Sequence, residues 1–321
     1  MDALSDVLKS IRLEAAAYID VEFTAPWCVR SRFGMKCIEH KIAGAGHVMF
    51  FHFITEGSCK VRLESGGETI EASAGDLVLF PRDQKHILGT DLRLPPVDAG
   101  DIEGAEAVDT DLIQLRHGGG GTPTRFVCGY VACEFAACRP LLEALPRIVR
   151  IPLAQGPART LFRELFSIGV RESSSSRPGN SSTLAKLSEL LFVEAIRQYV
   201  GSMPPGGTGW LAGVRDAQVG RALGLIHEKP DSAWTVEELA REVALSRSAL
   251  AERFTALVGE PPMKYLTRWR LTLAAQRLRA SRETVGRVAA RSGYESEAAF
   301  NRAFKREFGV PPASWRRAAA K

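Results

Sequence analysis

Two stretches near the end of this 321-residue chain carry the side chains best suited to recognition chemistry. The first holds Ser246, Arg247, Ser248, Glu252 and Arg253; the second holds Ser296, Glu297, Asn301, Arg302, Lys305 and Arg306. The spacing predicts one helix from about Arg247 to Leu257 and another from about Ser296 to Phe308, each with an apolar other face made by Leu250, Phe254 and Leu257 in one and Phe300, Phe304 and Phe308 in the other. Three-and-four spacing gathers the polar residues on the exposed side of a helix. Polar side chains at the N-terminal end of such a helix reach base edges, while arginine and lysine grip phosphate and arginine also reads guanine through paired hydrogen bonds. This is the chemistry of a duplex reader, in which no bond is made or broken.

A second group of residues suits a sensor. His52 alternates with Phe50 and Ile54 along a strand pattern, and with His86 it is a candidate for an effector pocket inside a barrel; His47 is a third polar group of that region. Among six cysteines, Cys28 and Cys37 lie nearest Arg30, Arg32 and Lys36, a setting that lowers a thiol pKa and makes them the redox candidates. Cys59 and Cys128 fall within strand patterns and read as inert core. No nucleophile elbow, phosphate loop or dinucleotide fingerprint occurs, so no catalytic residue, metal or cofactor is assigned.

The elements that must hold the first group form an internal repeat. Thr235 to Glu242 aligns with Thr284 to Arg291 at an offset of about 49, and Leu250, Phe254, Gly259, Pro261 and Pro262 match Phe300, Phe304, Gly309, Pro311 and Pro312 at an offset of about 50. Each copy reads as short helix, tight turn, second helix, then Gly-x-Pro-Pro. A helix-turn-helix needs a small residue at the helix crossing, a left-handed residue in the turn and an apolar anchor in the second helix. Ala240, Ala244 and Leu250 meet this in one copy; Ala289, Gly293 and Phe300 meet it in the other. Between the copies, Pro261 to about Ala280 reads as a helix with Leu266, Trp269, Leu273, Ala274 and Leu278 on its core face. Its length of about 27 Å approaches the roughly 34 Å between successive major-groove faces of B-DNA.

With these residues in place, Ala217 to Arg317 resembles the DNA-binding domain of AraC/XylS-type transcription regulators, most closely over Ala289 to Pro312. The resemblance implies seven helices, two helix-turn-helix units and promoter binding, with Arg302 at the arginine of the family's Phe-x-Arg-x-Phe pattern, a backbone contact. Upstream, apolar runs from about Gly44 to Leu88, punctuated by Glu56-Gly57, Gly66-Gly67 and Gly75-Asp76, read as β-hairpins of a sandwich or small barrel. The spacing Gly75-x5-Pro81-x4-His86 and the run Ile54-Thr55-Glu56-Gly57 resemble cupin motifs. The metal-ligand positions of an enzymatic cupin fall near Gly44, Gly46 and Phe50, which cannot bind metal.

Composition sets the frame. From Arg215 onward there are 20 Lys/Arg against 12 Asp/Glu, whereas the first 214 residues hold 22 against 25, so the basicity is C-terminal and points to a polyanion. No apolar run approaches a membrane span, and the first twenty residues lack an apolar signal core, so the expectation is a cytoplasmic bacterial protein without a membrane partner. The expected architecture is α+β: a cupin-like sensor and dimerisation domain at 1–201 with trailing helices, a linker at 202–214, and the double helix-turn-helix domain at 215–321. Partners on this reading are promoter duplex DNA, RNA polymerase, a small-molecule or redox effector, and a second copy of the chain docked through Thr183 to Val200. The rival readings are a cupin metalloenzyme carrying an accessory DNA-binding module and an architectural DNA binder without effector.

Overall fold

The computed structural model describes residues 2–10, 13–31, 47–82, 84–102, 112–133, 135–153, 157–173, 177–204 and 206–318. Eleven strands occur among them: β1 Leu13–Thr24, β2 Cys28–Ser31, β3 His47–Glu56, β4 Ser58–Leu63, β5 Ile70–Ser73, β6 Asp76–Phe80, β7 His86–Gly89, β8 Val97–Asp98, β9 Leu112–Gly118, β10 Pro123–Cys133 and β11 Val149–Pro152. They pair into a six-stranded sheet, ordered β11-β6-β3-β10-β1-β9, and a five-stranded sheet, ordered β5-β4-β7-β2-β8. The strand-rich barrel is present, but of the expected hairpins only β4–β5, across Gly66-Gly67, pairs consecutive strands; at Gly57 and Gly75 the chain instead passes from one sheet to the other, so that β3 pairs with β10 and β6, and β4 with β5 and β7.

Strand alternation sorts the side chains. Val48, Phe50 and Ile54 of β3 enter one core with Ile19, Val21 and Phe23 of β1, Val78 and Phe80 of β6, and Val61 and Leu63 of β4. The other face of the larger sheet is buried as well, under α3 (Pro157–Ser173) and α4 (Asn180–Ser202). Phe53 stacks on Phe166 of α3 at 4.7 Å, and Tyr18 hydrogen-bonds Ser188 of α4 at 2.6 Å. Burial on both faces explains why β3 reads as an unbroken apolar run.

The chain divides into two compact units. One is the barrel with α3 and α4, comprising Arg12–Glu134 and Leu145–Ser202. The other is helical and takes in Met1–Ile11, Phe135–Ala144 and Met203–Lys321. The helical unit is therefore larger than the sequence boundaries suggest. It includes α1 (Ala3–Ser10) and α2 (Phe135–Ala144), whose Val7, Leu8, Leu141 and Leu142 are buried. Its own elements then run α5 Trp210–Arg215, α6 Ala217–Glu228, α7 Val236–Glu242, α8 Arg247–Val258, α9 Pro262–Ala280, α10 Val285–Arg291, α11 Glu297–Phe308 and α12 Pro312–Ala318. Part of the segment read as linker is thus helix: Trp210 and Leu211 are buried, and the Gly209 N–H donates to the Leu257 carbonyl. No helix among the described residues is long and apolar enough to cross a membrane.

Candidate nucleic-acid interface

In the first copy, Thr235 caps α7 reciprocally with Glu238, so two orphan N–H groups at the helix start are satisfied. Ala240 packs at the crossing, and Ala244 makes the turn in the left-handed region at φ +55°, the one described non-glycine residue there. Ser246 then caps α8 by accepting from the Ala249 N–H at 3.1 Å, and Leu250 and Phe254 are fully buried. Arg247, Ser248, Glu252 and Arg253 are exposed, as expected. Both arginines nevertheless have acidic partners. Arg247 Nε lies 2.9 Å from Glu237, and Arg253 donates twice to Asp216 Oδ2, at 2.6 and 3.1 Å. Asp216 is the N-cap of α6; burial opposes its charge, but the hydrogen bonds from Arg253, Val219 and Gln218 together hold its carboxyl below the usual range. Arg253 therefore ties α8 to the start of α6.

In the second copy, Thr284 caps α10, Ala289 sits at the crossing and Gly293 makes the turn at φ +78°. Ser296 caps α11, whose Phe300 and Phe304 are fully buried against Tyr294, Phe308 and Trp315. Arg302, Lys305 and Arg306 are exposed and form no ion pair among the described residues. Asn301 is half-buried beside them, and the Glu297 carboxylate turns back toward Gly286 in the first turn of α10. One helix thus presents three unpartnered cations on a single face, the arrangement that neutralises a phosphate backbone.

The helix between the copies, α9, supplies the frame. Leu266, Trp269, Ala274 and Leu278 are buried on its core face, while Leu273 is only half-buried. Arg270 of α9 donates to the carbonyls of Pro230 and Ser232 and lies against the Gly293 turn, where an added Cβ would come within 3.1 Å of its guanidinium. At the first copy, the Tyr265 hydroxyl accepts from Trp210 Nε1 at 2.8 Å and donates to His227 Nε2 at 2.7 Å, and the His227 ring stacks on Trp269 at 4.0 Å. Burial pushes the His227 pKa down to about 3, so the ring is neutral and can accept. Sequence reasoning missed Arg270, Asp216 and His227, because their partners lie tens of residues away and leave no periodic trace.

A helix-turn-helix domain model matches residues 239–318, and a cupin model matches residues 2–201. A putative AraC-like transcription regulator of Streptomyces lividans is 33% identical over 318 residues, covering 99% of this chain and 98% of that protein. The transcriptional regulator AlkR of Acinetobacter baylyi is 31% identical, covering 98% of this chain and 99% of its own. The chain belongs to the AraC family of transcription regulators. Among solved structures, the DNA-binding domain of AdpA, in complex with a target DNA, matches at 31% identity and a TM-score of 0.31, covering 32% of this chain and 92% of that one.

In the barrel of this AraC-family chain, His52 and His86 are both buried, as the pocket reading expects, and they meet with Nε2 atoms 2.7 Å apart, a contact the strand pattern does not show. His86 Nδ1–H donates to the Gln84 carbonyl, so His86 Nε2 is the acceptor and His52 Nε2–H the donor. That leaves His52 Nδ1 as a bare acceptor, buried without a partner, and Trp27 Nε1 as a buried donor in the same position. Burial drives both histidines below their ordinary pKa, His86 to about 4. His47 instead lies 2.5 Å from the Pro81 carbonyl. Phe50, at one of the enzymatic ligand positions, packs in the barrel core. Gly44 and Gly46, the other two such positions, lie outside the described residues, and among the described residues no group of three or more His, Cys, Asp or Glu is placed to hold a metal.

Cys28 departs from the expectation of an activated thiol. It is 3% exposed, and burial pushes its pKa up despite the opposing charges of Arg62 and Arg30. Cys59 is raised to about 12 and Cys128 further, both chiefly by burial, in keeping with inert core. Cys37 lies outside the described residues.

Proposed function

We propose that this DNA-binding transcription regulator grips promoter DNA through α11, with α8 reading bases beside it, and that a small molecule held in the barrel controls the grip. The observation that carries the reading is the row Arg302, Lys305 and Arg306 on a capped helix, exposed and free of acidic partners. Asn301, Arg247 and Ser248 are assigned to base-edge contacts, Ser246 and Ser296 to the capped helix starts that approach the backbone, and Glu252 to discrimination against the wrong base. RNA polymerase is the partner at the promoter. The test is selection of sites from random duplex DNA by the full chain. A single enriched motif is expected, weakened across all sequences by Arg302→Ala and relaxed at one position by Asn301→Ala; enrichment of no motif would support an architectural binder instead.

The sensor reading rests on the paired histidines. A ligand that donates to His52 Nδ1 and accepts from Trp27 Nε1 would satisfy the two orphaned polar atoms of the barrel core. This favours a small polar molecule over Cys28 oxidation, and a regulator over a cupin enzyme. Leu190 of α4 and Leu161 of α3 are left 47% and 37% exposed, which supports a homodimer through this helical face. Leu191 of the same helix points inward, so Leu190→Glu is the variant that separates dimer from monomer in sedimentation. An intracellular site of action follows from the role.

A further inference from the structure

The helix α2 lies in sequence between β10 and β11, two strands of the barrel, yet it is part of the helical unit, where it packs on α5 and α9 with Leu141 and Leu142 buried. Its Arg139 donates from Nη1 to Glu307 Oε1 at 2.8 Å and from Nε to Glu143 Oε1 at 2.7 Å. Glu143 Oε2 accepts from Arg268 Nη1 at 3.4 Å, and Arg268 Nη2 reaches Glu260 at 2.5 Å. Five alternating charges thus run without a gap from Glu307, in the last turn of α11, through α2 and α9 to Glu260, one residue past the glycine that ends α8. All but Glu143 are less than 30% exposed, so solvent screens the series less than it would a surface pair. Arg139 has a specific task there. A carboxylate at the C-terminal end of a helix is opposed by the helix dipole and, beside Lys305 and Arg306, detracts from the positive face. The guanidinium of Arg139 neutralises Glu307 and bridges it to Glu143 with two separate donors, which a single ammonium does less well.

We infer that Arg139 is a positioning residue for DNA reading: from a segment lent by the barrel's chain, it fixes the second recognition helix against the linker helix and so sets the separation of α8 and α11. It lies outside residues 239–318, the span of the helix-turn-helix match. The two-headed reader is therefore completed by a helix whose ends continue into β10 and β11. The inference rests on the reading that α11 contacts DNA.

The test uses the full chain and its selected site, with Arg139→Ala, Arg139→Lys, Arg139→Glu, Glu307→Arg and the swapped pair Arg139→Glu/Glu307→Arg. Arg139→Ala and Arg139→Glu are expected to weaken binding about tenfold and to erase the penalty for inserting one base pair between the two halves of the site. Arg139→Lys is expected to fall between these variants and the parent, and the swapped pair to restore both affinity and spacing preference. Parental affinity and spacing preference in the Arg139 variants, or a well-folded swapped pair that restores neither, would overturn the inference. Arg302→Ala run in parallel separates the two levels: loss with Arg302→Ala but none with Arg139→Ala removes only the role of Arg139, whereas no loss with Arg302→Ala removes the reading of α11 on which it stands.

Discussion

In the first helix-turn-helix the exposed arginines are held by acids of the same unit, Arg247 by Glu237 and Arg253 by Asp216; in the second, Arg302, Lys305 and Arg306 meet none among the described residues. The cores do not diverge in this way. Ala240 and Ala289 occupy the same crossing, Leu250 and Phe300 the same anchor, Ser246 and Ser296 the same cap, and Gly259 and Gly309 the same left-handed C-terminus. A duplicated fold keeps what packing and capping dictate, while the solvent face is free to divide its labour. On the proposed function α11 would carry the electrostatic grip, while α8 carries arginines held by acidic partners, which suits reading over gripping.

The largest effects test the shared part. Phe300→Ala should cost about 3–5 kcal/mol and Leu250→Ala about 2–5 kcal/mol in urea unfolding, because both side chains are fully buried; a cost under 1 kcal/mol at either would break the equivalence of the two cores. The next effect belongs to the first copy alone. His227, the only histidine after His117, is held neutral to a pKa of about 3, whereas an unfolded histidine titrates near 6.5. The unfolded chain therefore takes up a proton first as pH falls, so the stability from this site is full above pH 6.5 and declines toward pH 3. His227→Gln, which keeps an acceptor for Tyr265, should flatten the stability-against-pH curve below pH 6.5 by about 1.4 kcal/mol per pH unit. An unchanged slope would show that the His227 environment is not dry. His86, with its pKa near 4, acts with the same sign in the barrel.

The two turns give the smallest and sharpest contrast. Gly293→Ala should destabilise by about 1–2 kcal/mol, since a Cβ at φ +78° is strained and meets a guanidinium already fixed by two carbonyls. Ala244→Gly relieves the same strain at the cost of chain entropy, so its expected change runs from zero to about 1 kcal/mol of added stability. Thermal unfolding of the two variants should move in opposite directions or leave the second unmoved; a clear loss on Ala244→Gly would mean that the turns are not equivalent.

How much could be read from sequence follows from the range of the interactions. The recognition helices were legible to within a residue, because Leu250/Phe254 and Phe300/Phe304 repeat locally. The inward placement of His52 was legible from alternation, but its hydrogen bond to His86 joins residues 34 apart. The pairing of Arg253 with Asp216 and of Arg139 with Glu307 spans 37 and 168 residues. No local pattern records such pairings, which is why α2 read as part of the sensor and Arg253 as a free cation. Cys28 misled for the same reason: neighbouring arginines are visible in sequence, whereas the burial that outweighs them comes from packing.

The central claim, that the second copy supplies the phosphate grip, is tested most directly by the salt dependence of binding to the selected site. With Arg302, Lys305 and Arg306 all changed to alanine, the slope of log K against log salt concentration should fall in magnitude by about 2.7, close to 0.9 for each phosphate that is no longer neutralised. With Arg247 and Arg253 both changed to alanine it should fall by less than about 1. A larger fall for the first-copy pair than for the second-copy triple would contradict the account.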